Sequence, residues 1–501
     1  MAARYPKLYQ VNTRVWLSSL SLALQRPVTL DDLPDQALDQ IASLGFDWVW
    51  LLGVWQTGSK GREIARTLPD LRKGYQDVLP DLQDEDIQGS IFAITARAVS
   101  PNLGGEEALL RLRQRLQARG LRLMLDFIPN HTAMDHPWVF TQPEFYIQGD
   151  ADDLRREPAN YVEVESMRGH RVLAHGRDPH FSGWTDTLQL NYGNAGLQEA
   201  MQAELMHIAQ CCDGVRCDMA MLVVPEVFRR TWGIQIKPFW QRVIPAVQRV
   251  FPDFVFMAEV YWDMEAELQR QGFAYTYDKR LYDRLKEQKP ILVRQYLQAE
   301  VGYQEKMARF LENHDEPRAA AAFPGGMQQA AALVTFLAPG LRFFHQGQLE
   351  GFQKRVPVQL ARGPVEQPDP VIQAFYQKLL TLLKLPVLCS GDWRLLSCAP
   401  AWEGNPSWEN FLVYAWQGQS GERLLAAVNY APVQSQCYVK LPVEWLENPI
   451  QPGSGEALQG FISLEDQMDA VTYQREKGRL LTEGLYLDLP AWGGHVFQLV
   501  G

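Results

Sequence analysis

The chain reads as an α/β protein: a closed (β/α)8 TIM barrel, with a loop-rich domain inserted after strand 3 and a C-terminal antiparallel β-sandwich domain. Three observations predict this. Short apolar runs alternate with helical stretches up to about residue 386, the pattern of a parallel sheet covered by helices. Eight such runs occur, the number that closes a barrel. Beyond residue 386 the helical period disappears and alternating β-type runs take over. A doubly wound open sheet is the alternative, but no GxGxxG follows the first strand.

In chain order, residues 8–17 read as the first strand, 35–44 as a helix and FDWVWLL (46–52) as the second strand. EEALLRLRQRLQAR (106–119) carries apolar residues at helical spacing, Gly120 fits a helix end, and 121–127 is the third strand. A long polar and aromatic stretch covers 132–192. Helices are expected at 195–210, 238–250, 328–337 and 371–383. The remaining strands are expected at 214–218, 254–259, 273–277, 308–312 and 341–345. The barrel thus takes residues 1–131 and 193–385, the insertion 132–192, and the β domain 386–501. In the last of these, NFLVYAWQG, RLLAAVNYA, QCYVKLPV and GLYLDLPAWGGHVFQLV alternate, with turn residues between them.

Composition narrows the function. The 501 residues include 15 Trp, 18 Tyr and 22 Phe, enough for a large core. The net charge of −11 argues against a nucleic-acid partner. No run of about 18 apolar residues suggests a membrane partner, and the N-terminal residues carry no secretory pattern. The six cysteines form no CxxC pair and read as reduced thiols. The expected location is cytoplasmic.

Active sites of such barrels lie at the carboxyl ends of the strands. The third strand ends at Asp126, followed by Asn130 and His131. The fourth carries Arg216 and ends at Asp218. The fifth ends at Glu259, and the seventh runs into Asn313, His314 and Asp315. Charged residues at the ends of apolar strands are costly unless paired or facing a cleft, and four strands share the pattern. The chemistry suited to it is glycoside hydrolysis with two carboxylates flanking the bond. Asp218 is the candidate nucleophile, forming a covalent glycosyl-enzyme. Arg216, two residues away on the same strand face, would keep it ionised and oriented. Glu259 is the candidate acid/base, with Asp315 as the neighbouring carboxylate that supports its protonation and grips sugar hydroxyls. His131 and His314 are candidate hydroxyl donors. Trp55, Trp138, Trp184, Tyr261 and Trp262 are candidate sugar platforms.

At these residues the sequence resembles the α-amylase family, glycoside hydrolase family 13. DFIPNH (126–131), GVRCDMA (214–220), FMAEVYW (256–262) and FLENHDEPR (310–318) resemble its four short motifs in order. The resemblance implies Asp218 as nucleophile, Glu259 as acid/base and Asp315 as transition-state stabiliser. It implies Asp126, His131, Arg216, His314 and Asn313 as substrate-binding residues. GSIFAI (89–94) resembles the segment holding a stacking aromatic, here Phe92. LQLNY (188–192) resembles a short motif near the end of domain B, and FFHQGQLEG (343–351) the segment that closes the barrel. The 132–192 insertion then corresponds to domain B and 386–501 to domain C. Two departures stand out. Ala96-Arg97 occupies a place where the family often has Asp-Tyr, and MAMLVV follows the nucleophile instead of Lys-His. No cofactor is required by this reading. Calcium at the junction of barrel and insertion is a candidate, with Asn130 as one ligand and Asp178 as a second.

The resulting expectation is an enzyme: a retaining α-glycoside hydrolase with a carbohydrate substrate, an α-1,4-glucan or maltooligosaccharide. The alternatives are a glucanotransferase or other transglycosylase using the same intermediate, and a non-catalytic family-like binding protein. A metal hydrolase built on Asp126, His131, His314 and Asp315 is a further rival. It lacks an HExxH pattern.

Overall fold

The computed structural model describes residues 3–447 and 460–500. Eight parallel strands form a closed barrel: β1 (Lys7–Asn12), β2 (Trp48–Leu52), β3 (Arg122–Phe127), β4 (Gly214–Cys217), β5 (Val255–Ala258), β6 (Tyr275–Tyr277), β7 (Met307–Arg309) and β8 (Leu341–His345). Each strand neighbours the next in sequence, and β8 returns to β1. The chain divides into two compact units. The first comprises Tyr9–Tyr277 and Lys354–Val365; the second comprises Met1–Leu8, Asp278–Gln353 and Glu366–Gly501.

In the first unit the strands are short because they are wholly interior. All five residues of β2, WVWLL, are buried. Helix Gly105–Gln117 buries Ala108, Leu109, Leu112 and Leu116, one stripe at helical spacing. Register between β3, β4 and β5 sets Arg216 opposite Asp126 and Cys217 opposite Ala258. The expected first strand over 8–17 is corrected. β1 stops at Asn12, whose side chain accepts a hydrogen bond from the Val15 amide at 3.3 Å. That cap starts helix Thr13–Leu24, so the apolar run holds two elements. The insertion carries small sheets of its own. Thr187–Gln189 pairs antiparallel with His131–Ala133, and Arg171–Ala174 lies between Gln148–Gly149 and Tyr161–Val164.

In the second unit β7 is shorter than the expected 308–312 and ends at Arg309. The unit also holds the two C-terminal sheets, both antiparallel. The larger runs Asp392–Leu396, Phe411–Gln417, Arg423–Asn429, Gly494–Val500, Phe461–Asp466, Thr472–Glu476; the smaller runs Cys398–Pro400, Ser435–Val439, Leu485–Leu489. Phe411, Val413, Leu425, Leu464, Leu487 and Phe497 meet in one apolar core. The strands 392–396, 398–400, 461–466 and 472–476 went unread in the sequence, because DWRLL, CAP, FISLED and TYQRE are short or polar.

Arg309 and Asp278 are both fully buried and form an ion pair. Asp278 also accepts from the Tyr296 hydroxyl at 2.8 Å and the Leu281 amide at 3.1 Å, and Arg309 donates Nε to the Pro339 carbonyl at 2.7 Å. D278A would leave a buried guanidinium without its counter-charge, a loss of about 3–5 kcal/mol. In urea titrations, D278A should therefore lose more stability than D278L/R309L, which removes both charges and keeps the volume filled.

Candidate active site

The centre of the site is the guanidinium of Arg216, fully buried on β4. Its Nη1 lies 2.7 Å from Asp218 Oδ1 and 3.9 Å from Asp126 Oδ1, and its Nη2 lies 2.7 Å from Glu259 Oε2. Nε donates to the Tyr277 hydroxyl at 3.3 Å. Ring centroids of Phe92, Trp50 and Tyr277 lie 5.2, 5.5 and 5.8 Å from the guanidinium carbon. Burial alone would weaken the cation. The attractions of Glu259, Tyr277, Asp218 and Asp126 outweigh it and raise the Arg216 pKa well above the ordinary value.

Backbone geometry explains how these groups meet. Arg216 and Asp126 are register partners, and Asp218 follows Arg216 by two residues, on the same strand face. The ladder runs on one residue past each strand: the Asp218 amide donates to the Phe127 carbonyl at 2.8 Å, and the Glu259 amide to the Cys217 carbonyl at 3.0 Å. Asp218, Glu259 and Asp126 thus end adjacent strands as a row, each nearly buried.

Backbone and hydroxyl donors hold the carboxylates further. Glu259 Oε2 accepts from the Met219 amide at 2.7 Å and Oε1 from the Tyr261 hydroxyl at 2.8 Å. Met219 stands at φ +42°, and Trp262 and Asp263 at +60° and +61°, conformations costly for non-glycine residues. Left-handed backbone therefore follows both Asp218 and Glu259. Asp126 Oδ2 accepts from the Gly53 amide at 3.0 Å, and its carbonyl from Trp55 Nε1 at 2.8 Å. Gly53 has φ +78°, and a Cβ there would meet Ile91 at 2.8 Å, so only glycine delivers this amide.

Phe92, half-buried, has its ring near Arg216, and its carbonyl is bonded by His131. Burial, with the Arg97 charge adding to it, pulls the His131 pKa down to about 3, against the opposing Phe92 bond. His136 is lowered to about 3 by the same two causes. Arg97 is itself buried, donates Nη2 to the Ile128 carbonyl at 2.9 Å and lies near the rings of Phe127 and Trp138. It fills the interior of this segment, not a sugar-binding face. Of the aromatic candidates, Trp55 is buried as a structural donor. Trp184 packs edge-on against His131, Trp262 is 40% exposed beside His180, and Trp138 packs on His136 and Phe145.

In the second unit Asn313, His314 and Asp315 share one turn. Asn313 Oδ1 accepts from the amides of Asp315 at 2.9 Å and Glu316 at 2.8 Å, which sets the loop after β7. His314 Nε2 lies 3.0 Å from Asp315 Oδ2; the histidine side chain is buried and the aspartate is 41% exposed. Arg318 pairs with buried Glu312 at 3.0 Å and braces the same loop.

A family model described as the alpha amylase catalytic domain matches residues 35–366. The chain belongs to the alpha-amylase family. It is 21% identical over 291 residues to alpha-amylase 3 of Dictyoglomus thermophilum, covering 54% of this chain and 55% of that protein. It is 24% identical over 263 residues to an alpha-1,4-glucan:maltose-1-phosphate maltosyltransferase of Cereibacter sphaeroides, covering 50% of this chain and 33% of that protein. The alignments thus span about half or less of these relatives. Among solved structures, the maltogenic alpha-amylase AmyB of Thermotoga neapolitana superposes with a TM-score of 0.70 at 17% identity, covering all of both chains. An alpha-amylase of Lactobacillus plantarum follows at 0.67 and 20%, covering 99% of each. Both likenesses bear on the fold alone.

Asn130 and Asp178, the candidate calcium ligands, each have protein partners. Asn130 Oδ1 accepts from Gln189 Nε2 at 2.9 Å while Asn130 Nδ2 donates to Gln189 Oε1 at 3.1 Å, so the two amides engage each other. Asp178 Oδ1 accepts from the amides of His180 and Phe181 at 2.6 and 3.0 Å. A calcium ion takes six to eight oxygens, and Asn130 Oδ1 and Asp178 Oδ1 are both already engaged by protein donors.

Sequence reading missed Gly53, Trp50, Tyr277 and the Met219 amide. Gly53 and Tyr277 were visible only as residues ending barrel strands.

His131 and His136 are held neutral by burial, so the unfolded chain takes up their protons at higher pH than the folded one. Their contribution is present above about pH 6.5 and is lost as pH falls toward 3. Denaturant midpoints measured from pH 7 down to 4 should fall, and H131N/H136N should fall less steeply. A parallel fall in both proteins would exclude these two histidines.

Proposed function

We propose that this enzyme is a retaining α-glycoside hydrolase of α-linked glucosides, α-1,4-glucans or maltooligosaccharides. The observation that carries the reading is the fork of Arg216, with Asp218 on one nitrogen and Glu259 on the other. Both carboxylates thus face one cation at adjacent strand ends, the placement that a nucleophile and an acid/base flanking one bond require. Asp218 attacks the anomeric carbon; Arg216 keeps it ionised and aimed. Glu259 donates a proton to the departing oxygen, then takes one from the attacking water. Asp315, raised toward solvent by the Asn313 turn, is the group assigned to the distorted sugar and its developing charge. His131 in its neutral form, His314, Asn313 and Asp126 are assigned to hydroxyl recognition, and Phe92 to stacking. Six free cysteines among the described residues support a reducing, cytoplasmic setting. No helix among those residues is long and apolar enough to cross a membrane.

A second reading, a transglycosylase with the same intermediate, is favoured by one feature. The residues after the nucleophile, Ala220–Val223, are all buried and apolar. They offer no polar side chain that would order an acceptor-side water.

A product time course on maltose through maltoheptaose, sucrose, trehalose and an aryl α-glucoside separates the two. Shorter sugars released as the α-anomer are the expected result; products longer than the input would make the enzyme a transferase. D218N should lower kcat about ten-thousandfold or more with the circular dichroism spectrum retained. Substantial remaining activity would refute the nucleophile. E259Q should lose about a hundredfold or more on maltooligosaccharides, and far less on an aryl glucoside whose leaving group needs no proton. Equal losses on both would remove Glu259 as the acid.

A further inference from the structure

A cavity of about 390 Å³ lies in the first unit, between helix Thr13–Leu24 and the segment that follows β2. Two arginines line it, Arg14 and Arg62, and no aspartate or glutamate does. Arg14 spends its nitrogens on neutral partners: Nη1 donates to the Gly89 carbonyl at 2.8 Å and Nη2 to Thr57 Oγ1 at 2.9 Å. Arg62 Nε is buried without a hydrogen-bond partner, and no ion pair of Arg62 is found among the described residues. Gln56, Gln88, Asn102 and Ser18 add neutral donors to the wall.

Several other arginines of the same unit face carboxylates: Arg111 with Asp31, Arg119 with Asp39, Arg362 with Asp81 and Asp86, Arg216 with three. Two like charges in a half-buried cavity repel each other and lose hydration. The strain registers on Arg14, whose pKa falls to about 10 through burial and then through the Arg62 charge. A bound anion would relieve both costs. Planar guanidinium forks match oxyanions, and a phosphomonoester carries about −1.5 to −2 at neutral pH, the charge of two arginines; a carboxylate neutralises only one. The volume exceeds what a bare oxyanion fills and falls within the range of small-ligand pockets.

We propose that this cavity binds a phosphate group, as the free ion or as the phosphomonoester of a small sugar. The site stands beside the carboxylate row and is not part of it. Gly53 and Trp55 line the cavity on one side and hydrogen-bond Asp126 on the other. The proposal does not depend on the hydrolase reading, because occupancy can be measured without turnover.

The test is calorimetric titration of the full chain with inorganic phosphate, glucose 1-phosphate and glucose 6-phosphate at fixed ionic strength, with chloride as control. Wild type should bind phosphate or an ester with a dissociation constant of about 1 mM or tighter. R62Q, which removes a side chain with no protein partner and should fold normally, should weaken binding at least about tenfold, the loss of one charge-assisted contact. Equal affinity for the ion and the esters assigns the free ion; esters at least about tenfold tighter assign a sugar phosphate. Absence of binding to wild type overturns the proposal. So does undiminished binding to R62Q, which would place the anion elsewhere, including at the carboxylate row.

Discussion

A single buried cation organises the candidate site. Arg216 has no exposure to solvent, and a guanidinium in that position is tolerable only with counter-charges in contact. The converse holds for the carboxylates of Asp126, Asp218 and Glu259, nearly buried at the ends of three adjacent strands. Neither charge type is stable there alone, so both constrain the register of β3, β4 and β5. A one-residue slip of β4 would turn Arg216 and Asp218 to the opposite face and leave Asp126 and Glu259 without the cation. The arrangement that prepares the chemistry therefore also specifies the strand pairing.

Arginine serves the interior in more than one way. Arg216, Arg309 and Arg342 are all fully buried on barrel strands. Arg309 works against a carboxylate. Arg342 works against carbonyls, donating to Tyr5, Phe336 and Leu388 at 3.0, 2.8 and 2.7 Å. A five-donor planar fork can satisfy several backbone acceptors at once, which a lysine ammonium at the same depth cannot do in fixed geometry. Arg97 shows the limit. With one carbonyl and two aromatic faces, it is lowered by burial despite the attractions of Glu204, Tyr192 and Tyr146. Its field also holds His131 and His136 neutral.

The strand-end motifs made the barrel and the carboxylate row legible, because an aspartate or glutamate directly after an apolar run is an energetic anomaly in one dimension as well as three. What stayed hidden depends on backbone conformation or on distant partners. Residues 8–17 look like one strand until Asn12 is seen capping a helix. Nothing in Met219 as a residue type announces that its amide, at positive φ, bonds Glu259. Arg14 and Arg62 lie 48 positions apart and read as solvated charges; only folding brings them to one cavity. The amide that engages the Asn130 side chain lies 59 residues away.

That partner, Gln189, shows how the insertion is fastened. Gln189 sits opposite His131 in the short ladder that brings the chain back from residues 134–186. Its side chain exchanges two hydrogen bonds with the Asn130 amide and gives a third contact, at 3.0 Å, to the Asn130 carbonyl. Tyr192 adds a bond from its hydroxyl to the Pro129 carbonyl at 2.9 Å. All of these groups are buried, where amide hydrogen bonds compete little with water and an unmet donor is expensive. The start and the end of the insertion are thus tied to each other directly behind Asp126 and His131. Neutral amides do this without adding charge beside a row that already carries three carboxylates on one guanidinium. A carboxylate in place of either amide would bring a buried charge to this junction with no counter-charge of its own; the paired amides satisfy each other and need none.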